Sequence, residues 1–259
     1  MRLLSRRKAR SGSAVIDGTI ATGLAILLWQ SAYEYAGESA ISSPLDTLAY
    51  GYGLVQTQAF WNNVQATVTA FAYAVAISIA LGVTLGLLLG LQRFAGDVAE
   101  PILTSIYTIP KITLYPLILL IFGLGLPAKI AFGVIHGVIP IILFTLSGVK
   151  NINPVLLRAA RVLHLTRVQT IVSVLMPAVV PELLTGVRTG FSLTLLGVLI
   201  GEMFASQRGL GFLIINGISL NNVPMTTAVI VIVVVFALAA NSLLLAFDRK
   251  GGSGYRLPR

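Results

Sequence analysis

Apolar runs separated by short polar stretches organise this chain of 259 residues. The first, over about 15–33, is long enough to cross a bilayer core, which takes about 20 helical residues. Similar runs over about 64–91, 101–123, 130–149, 178–204 and 225–247 predict five more spans. The run over 64–91 exceeds a core of about 30 Å at about 1.5 Å per residue, so it tilts or protrudes. The pattern therefore predicts an all-α polytopic membrane protein with six transmembrane helices. Two readings stand for the first run. It is either a retained span or a cleaved signal peptide, whose apolar core is usually about 7–15 residues. Its length favours retention.

The stretches between the runs carry their own signals. Ser43 and Asp46 have capping-box spacing around Pro44, which predicts a surface helix in the segment 34–63. Residues 92–100 and 123–129 read as turns. GLGFLIINGISL at 209–220 is apolar but too short to span, and suits an interfacial or re-entrant helix. In 150–176, Asn153 and Pro154 start a short helix: Asn caps, and Pro tolerates a first turn that needs no N–H. Leu156, Ala159, Ala160 and Leu163 then share one face, with Arg158 and Arg161 roughly opposite. Thr166 and Gln169 repeat the capping-box spacing and predict a second helix running into Met176-Pro177. A short helix thus lies between spans four and five, with an apolar face to offer a partner.

Composition agrees with a membrane protein. Hydrophobic residues make up 56% and charged residues 10%, where soluble chains carry about 45–50% and about 25%. There is no cysteine, which excludes disulfides and thiolate metal sites. The net charge of +9 follows membrane sidedness rather than a nucleic-acid patch. All 18 lysines and arginines except Lys111, Lys129, Arg188 and Arg208 fall in residues 2–10, 93, 150–167 and 249–259. Six spans put those stretches on one side, which the positive-inside rule makes cytoplasmic. Both termini and the 150–176 loop then face the cytoplasm. The resulting division is a basic cytoplasmic N-terminus (1–14), a six-span domain (15–247) and a cytoplasmic tail (248–259).

Within the spans, Ser78, Gly82, Gly86 and Gly90 form a small-residue stripe that lets another helix approach closely. Pro110 and Pro116 interrupt the third span, with Lys111 between them. Broken helices and charge are tolerated in a membrane where they face protein or a water-filled path. Pro110, Lys111, Pro116 and Glu202 are therefore candidates to line a translocation path. For Lys111, a side chain stretching toward the interface is the equal alternative. His136 either bonds a neighbouring carbonyl or relays protons, and the first is the commoner role. Glu182 and Arg188 are six apart, too far around one helix for a favoured pair. No GxxxxGK[ST], HExxH or GxSxG motif occurs, so no catalytic residue, metal site or bound cofactor is expected on this chain. The alternative is a secondary transporter or channel that works without ATP.

The segment 150–177 resembles the EAA loop of the membrane subunit of bacterial ABC importers, E-A-A-x3-G-x9-I-x-L-P. Ala159, Ala160 and Pro177 match, Val174 and Met176 are conservative replacements, Arg158 stands for the Glu and His164 for the Gly. More widely, residues 41–249 resemble the permeases for nitrate, sulfonates and taurine. SPLDTL (43–48), GVTLGLLLGL (82–91), YPLILLIFGLG (115–125), LLTGVRTG (183–190) and GEMFASQRGLGFLI (201–214) carry that likeness. The resemblance implies a multi-pass permease of the bacterial inner membrane that imports a small solute by alternating access. Its implied partners are a second permease copy, two ABC ATPases holding ATP and Mg, and a periplasmic or lipid-anchored solute-binding protein. Nucleic acid is not among them; membrane lipid is. Leu156, Arg158, Ala159, Ala160, Leu163, His164 and Pro177 become the ATPase-coupling residues. The solute is left open.

Overall fold

The computed structural model describes residues 2–251, with residues 2–16, 167, 205 and 243–251 described through their backbone only. The predicted tail beyond 251 lies outside the described residues. Those residues are mostly helical, joined by short loops and turns, without a strand. The helices are α1 (Arg2–Ala36), α2 (Pro44–Val55), α3 (Gln58–Leu91), α4 (Arg93–Thr108), α5 (Tyr115–Phe122), α6 (Leu126–Lys150) and α7 (Pro154–Val162). They continue with α8 (Arg167–Thr170), a π-helical turn (Ile171–Leu175), α9 (Met176–Ala205), α10 (Leu210–Ser219) and α11 (Val223–Gly251).

Four stretches among the described residues are long and apolar enough to cross a membrane: Gln58–Leu91, Leu126–Lys150, Val168–Phe204 and Val223–Ser242. The pair Arg93–Thr108 and Lys111–Phe122 adds a fifth if counted as one span bent by 86°. The predicted first span falls inside α1, which is not among these candidates. Three expectations are corrected. Residues 92–100 are not a turn: α4 starts at Arg93 and runs through Pro101. Nor does the fifth span begin at 178, because its helix rises through α8 and the π turn. Pro116 occupies the first turn of α5, where no N–H is needed, so only Pro110 breaks the third span.

Contacts divide the chain into two units, Met1–Phe60 with Ile214–Ile232, and Trp61–Leu213 with Val233–Arg259. In the first, Ser43 Oγ accepts from the Asp46 N–H (3.1 Å) and caps α2. Trp29 Nε1 donates to the Ser42 carbonyl at 3.0 Å. Asn222 Oδ1 accepts from the Met225 N–H at 3.0 Å and starts α11.

The second unit is built on α6. The α3 stripe faces it at matched spacing: Gly82 lies against Ile141, Gly86 against Thr145 and Gly90 against Val149. A Cβ on Gly86 would come within 2.5 Å of Thr145 Cβ and 2.9 Å of the Ile142 carbonyl oxygen. On its other side α6 meets Gly186, Gly190 and Gly197 of α9 through Phe144, Ile141 and Phe132. Small residues on both neighbours bring three backbones close together, the arrangement by which helices associate without a hydrophobic drive between them. Ala70, Ala74, Leu195 and Val198 extend this core. The α6–α9 pair is antiparallel, so its two ends carry different features: α7 at one, the loop 206–210 at the other.

Candidate functional site

At the first end, Asn153 Oδ1 accepts the Val155 N–H at 2.9 Å and Pro154 fills the first turn, so α7 starts as its sequence predicts. Its faces are not those expected. Ala160 is buried and Leu157 packs on a cluster of Val149, Ile152, Leu175 and Val179. Leu156 is half-buried, whereas Arg158 and Ala159 are exposed. Val155, Val162 and Leu163 are 61%, 77% and 69% exposed. The apolar stripe left open is therefore Val155, Ala159, Val162 and Leu163, with Arg158 among them. The physical reason is that α7 spends Ala160 and Leu157 on holding itself to the chain.

The end of α7 is a Schellman turn. Leu165 N–H donates to the Ala160 carbonyl (3.0 Å) and His164 N–H to the Arg161 carbonyl (3.1 Å). This puts His164 at φ 51°, the left-handed position that glycine adopts most readily. Thr166 and Gln169 then form a reciprocal capping box: Gln169 Oε1 accepts from the Thr166 N–H (2.9 Å), and Thr166 Oγ1 from the Gln169 N–H (3.3 Å). The π turn follows, and half-buried Pro177 sits in the first turn of α9. Lys150, just before α7, pairs with Asp97 (2.6 Å) and Glu100 (2.7 Å) of α4.

At the other end, Glu202 is fully buried and satisfied. Thr67 Oγ1 donates to its carboxylate (2.8 Å to Oε2), as does the Gly211 N–H (3.0 Å), and the Lys129 ammonium lies 3.5 Å away. Around it, the Leu210 N–H donates to Thr67 Oγ1 (2.8 Å), the Gly209 N–H to Asn63 Oδ1 (2.7 Å), and Lys129 Nζ to the Arg208 carbonyl (2.7 Å). Helix starts leave N–H groups unpaired and carry partial positive charge. Here α10 has its first N–H groups taken up by side chains of α3 and α9. Gly209, at φ +131°, and Gly211 both abut Glu202, so neither position has room for a side chain. Glu202 is thus buried among its partners and anchors the loop. Sequence reasoning missed its partners, although a buried carboxylate demands a counter-charge and Lys129 stands in the first turn of α6.

The bend between α4 and α5 holds exposed Pro110 and Pro116 and half-buried Lys111. Pro110 cannot donate, the ladder ends, and Lys111 Nζ turns back to the Tyr107 carbonyl (2.9 Å), 4.6 Å from the Tyr107 ring centre. It serves as a cap on the end of α4. His136 Nδ1 is 2.8 Å from the Phe132 carbonyl, the commoner of its two expected roles. Arg188 Nε donates to Asn241 Oδ1 at 2.9 Å. The described residues bring the coupling candidates together at one end and separate them from both Lys111 and Glu202. No cluster of His, Asp and Glu among them could hold a metal ion.

Residues 78–251 match the family model described as "Binding-protein-dependent transport system inner membrane component". The chain is 27% identical over 190 residues to the taurine transport system permease protein TauC of Escherichia coli (strain K12), covering 73% of this chain and 69% of that one. It is 34% identical over 193 residues to the riboflavin transport system permease protein RibX of Chloroflexus aurantiacus, covering 74% and 72%. Its fold matches the crystal structure of a bacterial ABC transporter involved in the import of the acidic polysaccharide alginate, with TM-score 0.66 and 15% identity over 96% of this chain and 99% of that one. The matched segment contains the α6–α9 pair, α7 and the Glu202 anchor, and the chain belongs to the family of inner-membrane permease components of binding-protein-dependent ABC transport systems.

Proposed function

We propose that this chain forms the translocation path for a small solute such as nitrate, a sulfonate, taurine or a similar compound, as one of two permease copies. Two ABC ATPases, which hold ATP and Mg, and a solute-binding protein complete the importer. The membrane is the bacterial inner membrane, crossed six times with α1 as the first span, and the α7 end and both termini are cytoplasmic. Residues 15–247 make up the permease domain. The main support is the placement of α7: it presents Val155, Val162 and Leu163 to solvent near the end of α6, and a short turn joins it to the continuous helix of α8, the π turn and α9. A body that grips this stripe moves α9, and α9 is packed on α6 along its length. Nucleotide-driven closure of the ATPases would pull α7 and rock the spans from one facing to the other. Such a change needs contacts that differ between the two states, and α7 supplies them.

Arg158 sits where relatives of the resembled class carry an acid. The loop 150–176 contains no acid at all, so its ATPase groove carries an acidic rim here. The apolar stripe dominates docking: one buried leucine contributes roughly 1.5–3 kcal/mol, an exposed ion pair about 0–1. The test is co-purification of the ATPase with Leu163→Asp, whose position is exposed and outside the core. Loss of the ATPase, or hydrolysis that no longer drives uptake, is the expected result; normal coupling would contradict the assignment of α7.

A further inference from the structure

We propose that a cavity bounded by α1, the end of α10 and the start of α11 binds one phospholipid with an amine headgroup, its acyl chain in the cavity and its ammonium group beside Glu38 and Asp46. The cavity has a volume of about 510 Å³, and its apolar lining includes Trp29, Ile41, Ile218, Val223, Ile230 and Val231. The polar side chains along it are turned to the protein. Trp29 Nε1 donates to the Ser42 carbonyl (3.0 Å), and Asn222 Nδ2 to the Tyr50 hydroxyl (3.4 Å). The hydroxyls of Thr226 and Thr227 donate to the carbonyls of Asn222 (3.0 Å) and Val223 (2.8 Å). What remains is an apolar wall, with Asn221 exposed at its edge.

Place and charge identify the occupant. Val223–Ser242 is a candidate membrane span, so the lining residues of 223–231 lie in its first half, at the depth of lipid tails. Ile218 and Ile230 line the cavity and are also 58% and 43% exposed, so it opens onto apolar surface. A polar solute finds no free donor or acceptor along this wall, and an acyl chain needs none. A second cavity, of about 580 Å³, adjoins the first. Its Ser42 and Pro224 follow Ile41 and Val223 of the first, and Tyr33 lies one helical turn from Trp29. Glu38 and Asp46 line this second cavity and accept from the hydroxyls of Tyr33 (3.1 Å) and Ser43 (2.5 Å). Among the described residues neither carboxylate pairs with a cation. Residues 34–63 hold three acids, Glu34, Glu38 and Asp46, and no lysine or arginine. An anionic headgroup would meet like charge there, and an ammonium its complement. One molecule with an apolar tail and an amine head satisfies both cavities.

The experiment follows the tightest-bound lipid on the purified native assembly of this chain, by native mass spectrometry. The assembly is first delipidated in mild detergent, then titrated with dioleoyl phosphatidylethanolamine or dioleoyl phosphatidylglycerol. The parent should bind the ethanolamine lipid about tenfold more tightly than the glycerol lipid, because only the second sets like charges together. Ala40→Trp places bulk at the cavity wall and should abolish this binding. Leu45→Trp adds similar bulk at an exposed position of α2 outside the cavity and should leave binding unchanged. Glu38→Lys, at an exposed position, should keep a lipid in the cavity and reverse the headgroup preference. Equal affinity of the parent for the two lipids overturns the proposal, as does a parent that binds neither. Binding that survives in Ala40→Trp as it does in Leu45→Trp overturns the assignment to this cavity. An unchanged preference in Glu38→Lys overturns the assignment of the headgroup.

Discussion

His164 illustrates how one backbone angle constrains a side chain. A non-glycine residue in the left-handed region loses about 1–2 kcal/mol, so His164→Gly should stabilise the chain by about 1 kcal/mol and raise its melting temperature in detergent. A lower melting temperature would mean that the imidazole makes a contact worth more than the strain. Gly86 is the opposite case. Its Cα faces Thr145 and a carbonyl of α6, so Gly86→Leu must separate two helices; overpacking of this kind costs about 1–3 kcal/mol at least. Loss of monodisperse protein on gel filtration is expected, and a stable variant would place the stripe against lipid. Glu202→Ala leaves the Lys129 ammonium buried without its counter-charge, and breaking such a pair costs about 3–5 kcal/mol. Adding Lys129→Met should return part of that loss in a thermal-melt cycle, whereas additive losses would show that the two groups stabilise the chain separately.

Elements were legible in the sequence where local chemistry decided them. Ser43 and Asp46, Asn153 and Pro154, and Thr166 and Gln169 all became the helix starts that their spacing predicts. Tertiary effects were not legible. The rotation of α7 that buries Ala160 and exposes Val162 depends on where Val149 and Leu175 lie, which no periodicity reveals. The junction of α8 with α9 depends on a π turn that carries the helix to Pro177. The partners of Glu202 come from helices far apart in sequence. At this scale Arg158→Glu is informative. With an acidic groove rim it should weaken ATPase co-purification modestly, and more at low salt than at high salt. A stronger complex would mean that the ATPase has a basic rim and that this chain works beside a permease of the more usual loop.

For the molecule as a whole, the charge division predicts the orientation. A cysteine introduced at Ser11 or Asn153 should resist an impermeant thiol reagent in intact cells and react after permeabilisation; labelling from outside would invert the topology. With that orientation, the antiparallel pair α6 and α9 would carry the proposed ATPase contact at its cytoplasmic end and the anchored loop at the other. The proposed six spans would be few for a transporter acting alone, which is why a second copy is proposed to complete the path. The direct test of the central claim is uptake, by proteoliposomes containing the permease, its ATPases and its binding protein, of a radiolabelled solute that the binding protein holds. Accumulation should require ATP and Mg on the ATPase side, require the binding protein on the other, and persist when ionophores collapse every ion gradient. Accumulation of solute without ATP that collapses with the ionophore would contradict the account and make this chain a secondary transporter.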